Sequence, residues 1–406
     1  MQKRERLNEK ILIAMDALHN SKGSFMGIFL MAFMIGVSLK ESPTGYICYC
    51  MTAYAFYGIL STLFMHVLAA HPLASWRIGI FSSIINILAV ILVDPNWPFF
   101  PLLIGLLTAV ESQLFHRPRE FLQVREIPSD RRTKFTSARN ICAQIAKIVM
   151  PFVLGIVISE TSFERTAIIV LAISTVQLIL SFMLKPHSEI KVKTHTRREV
   201  LKYAVGHTEI RHALWVLLAC GIALSGCAYD IATQLNIYNA DSSSVSLGSI
   251  QSISSIAAII IILVYRHLRT KKKTGRDALV YALLPASILL PITAILFPGN
   301  FIIAAVLFVY FRAVMSALFC NTIFDIYYEN ALQKSIHDDA YRMEINILGE
   351  LWLCIGRVLS TAPLLFLLLI GRDDLTLPLI TVQSLAVPAI IISIRKSETS
   401  RARGKL

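Results

Sequence analysis

Charge is scarce in this sequence: only 16% of its 406 residues are Asp, Glu, Lys or Arg, while 55% are hydrophobic. Soluble globular domains carry about 25% charged residues, so this composition excludes an ordinary water-soluble fold. The remaining charge is unbalanced, with a formal net charge of +13. Because the basic residues lie in short gaps between apolar segments, where they orient helices and contact anionic headgroups, we expect membrane lipids and no nucleic acid as partners.

The sequence also lacks the motifs of enzymes and metal sites. It has no Gly-rich phosphate-binding loop ending in Lys-Ser/Thr, no Gly-x-Ser-x-Gly elbow and no His/Cys/carboxylate cluster with metal-ligand spacing. Its seven cysteines all lie inside apolar segments, where we predict unpaired core residues: Cys48, Cys50, Cys142, Cys220, Cys227, Cys320 and Cys354. We therefore predict no cofactor, no metal and no enzymatic activity.

Long apolar stretches are what the chain has in abundance. Each is near the length of about 20 residues that a helix needs to cross a bilayer. The twelve predicted segments are 15–39, 46–70, 76–93, 98–117, 138–159, 165–185, 213–238, 245–265, 278–297, 301–324, 346–370 and 375–394. The pattern predicts an all-α integral membrane protein with twelve transmembrane helices.

The basic residues predict how these helices are threaded. If the N-terminus is cytoplasmic, all but six of the 39 Lys and Arg residues fall in cytoplasmic gaps or tails. Three of the six are outside (Lys40, Arg165 and Arg372), and three lie within segments (Lys147, Arg312 and Arg357). We therefore predict a multi-pass protein of the cell membrane with both termini cytoplasmic and a first segment that is retained rather than cleaved.

The longest polar stretch, residues 186–212, is basic and divides the helices six against six. We predict an N-terminal six-helix bundle over 1–185, a basic cytoplasmic central loop over 186–212, and a C-terminal bundle with a short basic tail over 213–406. Charged gaps also follow the fourth and tenth segments, which are corresponding places in the two halves. A parallel internal repeat would produce this arrangement.

Six plus six helices, cytoplasmic termini and a long basic central loop resemble the major facilitator superfamily over nearly the whole chain. The family's signature Asp and basic pair are missing from residues 70–79, and residues 266–276 keep only basic character. Arg342-Met-Glu344, with Glu350 and Gly356-Arg357, is similar to a pattern in a branch of facilitator-like proteins from Gram-positive bacteria. The resemblance implies two six-helix bundles and a central cavity lined by helices one, four, seven and ten.

Ionisable residues inside the apolar segments are the candidate site residues, because such a group at mid-bilayer is costly. The family layout would place Glu111, Asp230 and Arg312 along the substrate path. The Arg312 guanidinium can bind a carboxylate or phosphate in bidentate fashion; the alternative is a structural pair with Asp230 or another acid. Lys147 is predicted either to pair across a helix interface or to contact an anionic substrate.

Glu111 is a candidate proton carrier, because burial of a carboxyl group permits protonation near neutral pH. The alternative is an ion pair with Arg117 or Arg119. Asp230 is a second proton-carrier candidate, nearer the outer mouth of the cavity. By contrast, Asp16 and Lys22 lie near the start of the first segment and are predicted to reach water by snorkelling.

Helix eleven carries a second group of charges. Glu350 and Arg357 are seven residues apart, so they share one face of that helix. With Arg342 and Glu344 nearby, we predict a cytoplasmic gate or a structural network rather than a binding site.

Together these features favour a secondary transporter that moves a small organic solute by alternating access, as a monomer and with protons as the candidate coupling ion. One alternative on the same fold is a flippase or efflux protein for lipid-linked or amphipathic, drug-like substrates. A membrane-embedded transferase is a weaker alternative, because it requires a His or Asp cluster near one membrane face.

Overall fold

The computed structural model describes residues 2–37, 44–63, 71–127, 129–184, 196–223, 244–271 and 339–372, with a few single positions between 306 and 383. These ranges are helical almost throughout. The elements up to residue 183 are α1 (Gln2–Ser24), a π-helical turn (Phe25–Phe29), α2 (Leu30–Val37), α3 (Thr44–Leu63), α4 (Pro72–Leu92), α5 (Phe100–Glu126), α6 (Ser129–Glu160) and α7 (Phe163–Met183). Later elements are α8 (Arg197–Gly206), α9 (Thr208–Ala223), α10 (Ser244–Lys271) and α11 (Asp339–Leu369).

The described helices agree with the predicted segments. Segments three to six, eight and eleven each coincide with a helix. Segments one, two and seven do so as far as Val37, Leu63 and Ala223, where the described stretches end. Segments nine and ten and nearly all of twelve lie outside the described residues, so the count of twelve stays a prediction. Within the described part, six stretches are long and apolar enough to cross a membrane: Thr44–Leu63, Pro72–Leu92, Ala138–Glu160, Phe163–Met183, Ser244–Ile261 and Ile347–Leu369.

Several helices extend well beyond their apolar segments. α5 continues to Glu126 and α6 already begins at Ser129, so the charged region after the fourth segment is mostly helical. This extension is stabilised by packing, because one face of it joins the core of the same bundle. The buried side chains there include Leu122, Ile127 and Phe135, which pack in one cluster with Leu12 and Trp76.

The chain divides into two compact units, Met1–Thr194 with Ser243–Ile253, and His195–Ser242 with Ser254–Leu406. The boundaries predicted at 185 and 212 stay a prediction. In the first unit, α5 packs against α3 and α4, while α1 packs against α6 and α7. Glycines allow the close approach: a Cβ on Gly79 would lie 2.6 Å from the Leu114 carbonyl carbon, and one on Gly105 would lie 2.7 Å from the Tyr49 oxygen.

The π-helical turn has a visible effect on packing. Phe25 and Phe33 both stack on Phe163, with ring centroids 4.9 and 4.0 Å away. In an uninterrupted α-helix, residues eight apart differ by about 80° around the axis. A π turn advances only about 82° per residue, which brings the two directions to within roughly 10°. The turn therefore lets one ring of α7 contact both phenylalanines.

The second unit contains a short helix inside the predicted central loop. Thr196 caps α8 in a capping box, in which its side chain accepts from the Glu199 amide and the Glu199 carboxylate accepts from the Thr196 amide. Val200 and Ala204 on α8 are buried against Ile345 at the start of α11. Residues 197–206 of the predicted central loop therefore form a helix, while the division of the chain at 186–212 stays a prediction.

α9 and α11 cross at two glycines. A Cβ placed on Gly221 would overlap the carbonyl oxygen of Leu353, and a Cβ on Gly356 would overlap that of Leu218. These neighbours are backbone atoms, so they cannot rotate away. The two helices can therefore adopt this spacing only without a side chain at either position.

We predict that Gly221→Ala and Gly356→Ala each destabilise the protein by about 1–3 kcal/mol, the usual cost of overpacking. The measurement is thermal unfolding of the purified protein in detergent. Gly23→Ala in α1 is the matched control, because a Cβ there meets nothing within 4 Å and should leave the melting temperature equal or higher. Equal melting temperatures for all three variants and the wild type would contradict the close α9–α11 contact.

Candidate functional site

A buried ion pair lies in the first unit, between Lys22 on α1 and Glu111 on α5. The two side chains are only 3% and 7% exposed. The Lys22 Nζ also donates to Ser83 Oγ on α4 at 2.7 Å. Lys22 therefore does not snorkel to water as predicted: its ammonium group ends on a carboxylate inside the bundle. The partner of Glu111 is Lys22, where the sequence suggested Arg117 or Arg119.

The helix α4 supplies a polar contact to the same carboxylate. The side-chain nitrogen of Asn86 donates to Glu111 Oε2 at 3.1 Å and to Thr108 Oγ1 at 3.0 Å. Asn86 is fully buried, and its Oδ1 has no hydrogen-bond partner within the part of the chain that the structure describes. Because buried amide oxygens are nearly always paired, this atom is available for a further hydrogen bond.

A second buried acid lies about two helical turns before Lys22. Asp16 Oδ1 accepts from Arg119 Nη1 of α5 at 2.9 Å, and Asp16 Oδ2 lies 3.4 Å from Arg139 Nε of α6. The Asp16 side chain is buried, so the prediction that it snorkels is also wrong. This group connects α1, α5 and α6 through charge.

Aromatic rings separate the two charged groups. His19 stacks on Phe115 with ring centroids 3.9 Å apart, and His116 meets His19 edge-on at 5.0 Å. The Arg119 guanidinium lies over the Phe115 ring, 5.8 Å from its centroid. Asp16 and Glu111 therefore belong to two distinct ion-pair networks that share the α1–α5 interface.

The remaining predicted site residues are placed as follows. The Lys147 side chain is exposed on α6. Glu350 and Arg357 are half-buried on α11, and Arg342 and Glu344 lie in its first two turns. Asp230 and Arg312 lie outside the described residues. The roles proposed for these seven residues, and for Glu111, stay predictions.

Sequence reasoning missed Lys22, Ser83 and Asn86 as members of the site. Ser83 and Asn86 are three residues apart, so they share one face of α4, and they lie in a largely apolar segment. Polar residues on one face of a membrane helix were an available signal. For Lys22 the signal was ambiguous, because a lysine seven residues after the start of an apolar segment is also compatible with snorkelling.

Comparison with solved structures identifies the fold. The nucleoside transporter NupG is 16% identical, with a TM-score of 0.68 over 96% of this chain and 98% of that chain. A POT family transporter in complex with 5-aminolevulinic acid is 11% identical, with a TM-score of 0.70 over 95% of each chain. The peptide transporter POT, solved as a point mutant, is 13% identical, with a TM-score of 0.69 over 96% of this chain and 94% of that chain.

These solved structures have the fold of the major facilitator superfamily, and this chain shares it, as the layout of its helices predicted. At such low identity the likeness concerns the fold alone. No protein-family model matches the sequence, and no curated protein matches it either.

We predict that removing one charge of the Lys22–Glu111 pair destabilises the protein more than removing both. Lys22→Met or Glu111→Gln leaves the other charge buried and unpaired, which costs about 3–5 kcal/mol, while the double variant should recover most of that loss. The measurement is a double-mutant cycle of thermal stability in detergent.

Glu164→Gln is the control for this cycle, because Glu164 is an exposed carboxylate in the first turn of α7. It should not change the melting temperature. Additive effects of the two single substitutions would contradict the ion pair.

Proposed function

On this fold, we propose that the chain is a secondary transporter that moves a small organic solute across the cell membrane by alternating access, coupled to protons. The observation that carries the proposal is the Lys22–Glu111 pair, buried between two helices of the first unit. Ionisable groups inside membrane helices are expensive, and they commonly mark ion or substrate pathways. The solutes named for the solved structures above, nucleosides, peptides and 5-aminolevulinic acid, are all small organic molecules.

The proposed proton site is the Glu111 carboxylate. A proton arriving on Glu111 neutralises the group that holds Lys22, so the ammonium loses its ion-pair partner. The contact between α1 and α5 then weakens, and the two helices can change their relative position. Loss of the proton restores the pair. Protonation and the α1–α5 contact are linked in this way, which is what coupling between a proton and a conformational change requires.

Asn86 suits both protonation states of Glu111. With the carboxylate ionised, the Asn86 amide nitrogen donates to Glu111 Oε2. When Glu111 is protonated, a 180° rotation of the amide directs Oδ1 to the same position, where it can accept the new O–H. Thr108 serves either orientation, because a hydroxyl both donates and accepts. The rotation sacrifices no bond at Oδ1, since that atom has no partner among the described residues.

The solute itself is assigned to the central cavity that the fold implies. There Arg312 would bind an anionic group of the solute, and Asp230 would lie along the same path as a second proton-carrier candidate, as the sequence predicts. The backbone of α1 next to Lys22 is also irregular, because the π turn begins three residues later. Such turns occur frequently at functional sites.

The proton site is testable without knowing the solute. In infrared difference spectra of the reconstituted protein between neutral and acidic pH, we expect the C=O stretch of a buried, protonated carboxyl. The band should be absent from Glu111→Gln and from the double variant Lys22→Met/Glu111→Gln. Asn86→Leu should keep the band and shift its frequency, because the acceptor of the O–H bond is lost.

Gln113→Leu is the matched control for Asn86→Leu, since Gln113 is a buried amide that contacts Ser61 and not Glu111. It should leave the frequency unchanged. A band of wild-type size in both variants that lack Glu111 would contradict the assignment of the proton site.

Transport is tested in proteoliposomes with labelled uridine, a dipeptide and 5-aminolevulinic acid as probes. For any probe that is transported, we expect Lys22→Met/Glu111→Gln to lose pH-gradient-driven accumulation at least tenfold while retaining counterflow. Arg312→Ala should lose both activities, because it removes a solute contact. Unchanged accumulation in both variants would contradict the roles proposed for these residues.

A further inference from the structure

The helix α8, in the chain between the two predicted bundles, has a surface that the protein core does not cover. Val200 and Ala204 face the core of the second unit, against Ile210, Leu214 and Ile345. Leu201 and Val205 point away from that core and are 51% and 55% exposed. These two apolar side chains, one helical turn apart and each about half exposed, form a small exposed apolar strip.

Basic residues adjoin this strip. Arg198 and Lys202 are both exposed and are four residues apart, so they also share one face. At 100° per residue, Leu201 and Val205 follow the buried pair Val200 and Ala204 around the axis of α8. Arg198 and Lys202 come next. Glu199 follows, on the far side of the basic pair. The order is core, apolar strip, positive charge, then negative charge.

The neighbours of α8 place it at one edge of the membrane. Its buried residues share a cluster with Ile345, and Leu348 and Trp352 pack against that cluster. These residues lie at or just before the start of the α11 stretch Ile347–Leu369, which is long enough to cross a bilayer. Trp352 meets Trp215 of α9 edge-to-face at 5.2 Å, and Trp215 is itself exposed. Tryptophan is enriched at the level of the headgroups, so this pair lies where the hydrocarbon region ends.

We propose that α8 is an interfacial lipid-binding helix, in which Arg198 and Lys202 bind the phosphates of anionic phospholipids while Leu201 and Val205 enter the headgroup–acyl boundary. The charge of the basic pair and the apolar strip beside it match the two layers of an anionic leaflet. A phospholipid without net charge would match only the apolar strip and not the basic pair. This site is separate from the Lys22–Glu111 pair and does not depend on the proposed transport activity.

The test measures backbone hydrogen exchange of the peptide covering residues 196–207, in the full-length protein. The protein is placed in nanodiscs of phosphatidylcholine alone or with about one-third phosphatidylglycerol. Each basic residue near an anionic surface contributes roughly a fivefold change in binding, so we expect exchange in the anionic discs to slow by about an order of magnitude. Arg198→Gln/Lys202→Gln should abolish the difference between the lipids, and Leu201→Ser/Val205→Ser should raise exchange in both.

Arg165→Gln is the matched control, since Arg165 is an exposed basic residue that the predicted topology places on the other side of the membrane. It should retain the wild-type lipid dependence. Exchange of α11 peptides reports whether each variant is folded. Equal exchange of 196–207 in the two lipids, or a lipid dependence that survives in Arg198→Gln/Lys202→Gln with α11 intact, would overturn the proposal.

Discussion

The first unit depends on the rule that a charge taken out of water needs a partner of opposite sign. Lys22 and Glu111 are each too expensive to bury alone, and together they fix the approach of α1 to α5. The same rule brings in α4, because Ser83 and Asn86 supply the remaining polar contacts of the pair. The Asp16 carboxylate follows the same rule, because it pairs with Arg119 on α5 and with Arg139 on α6. The positions of four helices are thus specified by two carboxylates.

Charge determines which helices meet, and small residues determine how closely. In a bilayer the lipid chains are as apolar as leucine, so apolar surface gives helices little reason to associate. Helices in the bilayer associate instead through close contact between their backbones. Such contact occurs in the first unit where Gly79 faces Leu114, and in the second where Gly221 faces Leu353. Near such contacts a buried polar network can keep its geometry, because the helices that carry it cannot drift apart.

The sequence predicted the apolar helices well because length, hydropathy and charge distribution are local properties. It placed Glu111 inside the membrane for the same reason. It did not find Lys22 as the partner of Glu111, since a separation of 89 positions along the chain leaves open which helices are neighbours. The basis for α8 was present, as the Thr196 and Glu199 capping box is a local signal, but it was hidden within a stretch read as basic and polar. Local patterns in the sequence were enough to predict the helices. Contacts between residues far apart in the chain could be identified only from the structure.

The π turn at Phe25–Phe29 has a consequence for how the sequence can vary. A π turn is equivalent to one residue inserted into an α-helix. Deleting a single residue there would leave a continuous helix of nearly the same length and hydropathy. Because five residues at about 82° turn through nearly the same angle as four at about 100°, the helix on either side would keep its relative orientation to within roughly 10°. Phe33 would still face Phe163, and Lys22 would still face Glu111. In this segment, therefore, a one-residue gap is a small change, and a relative with one residue fewer could keep both contacts.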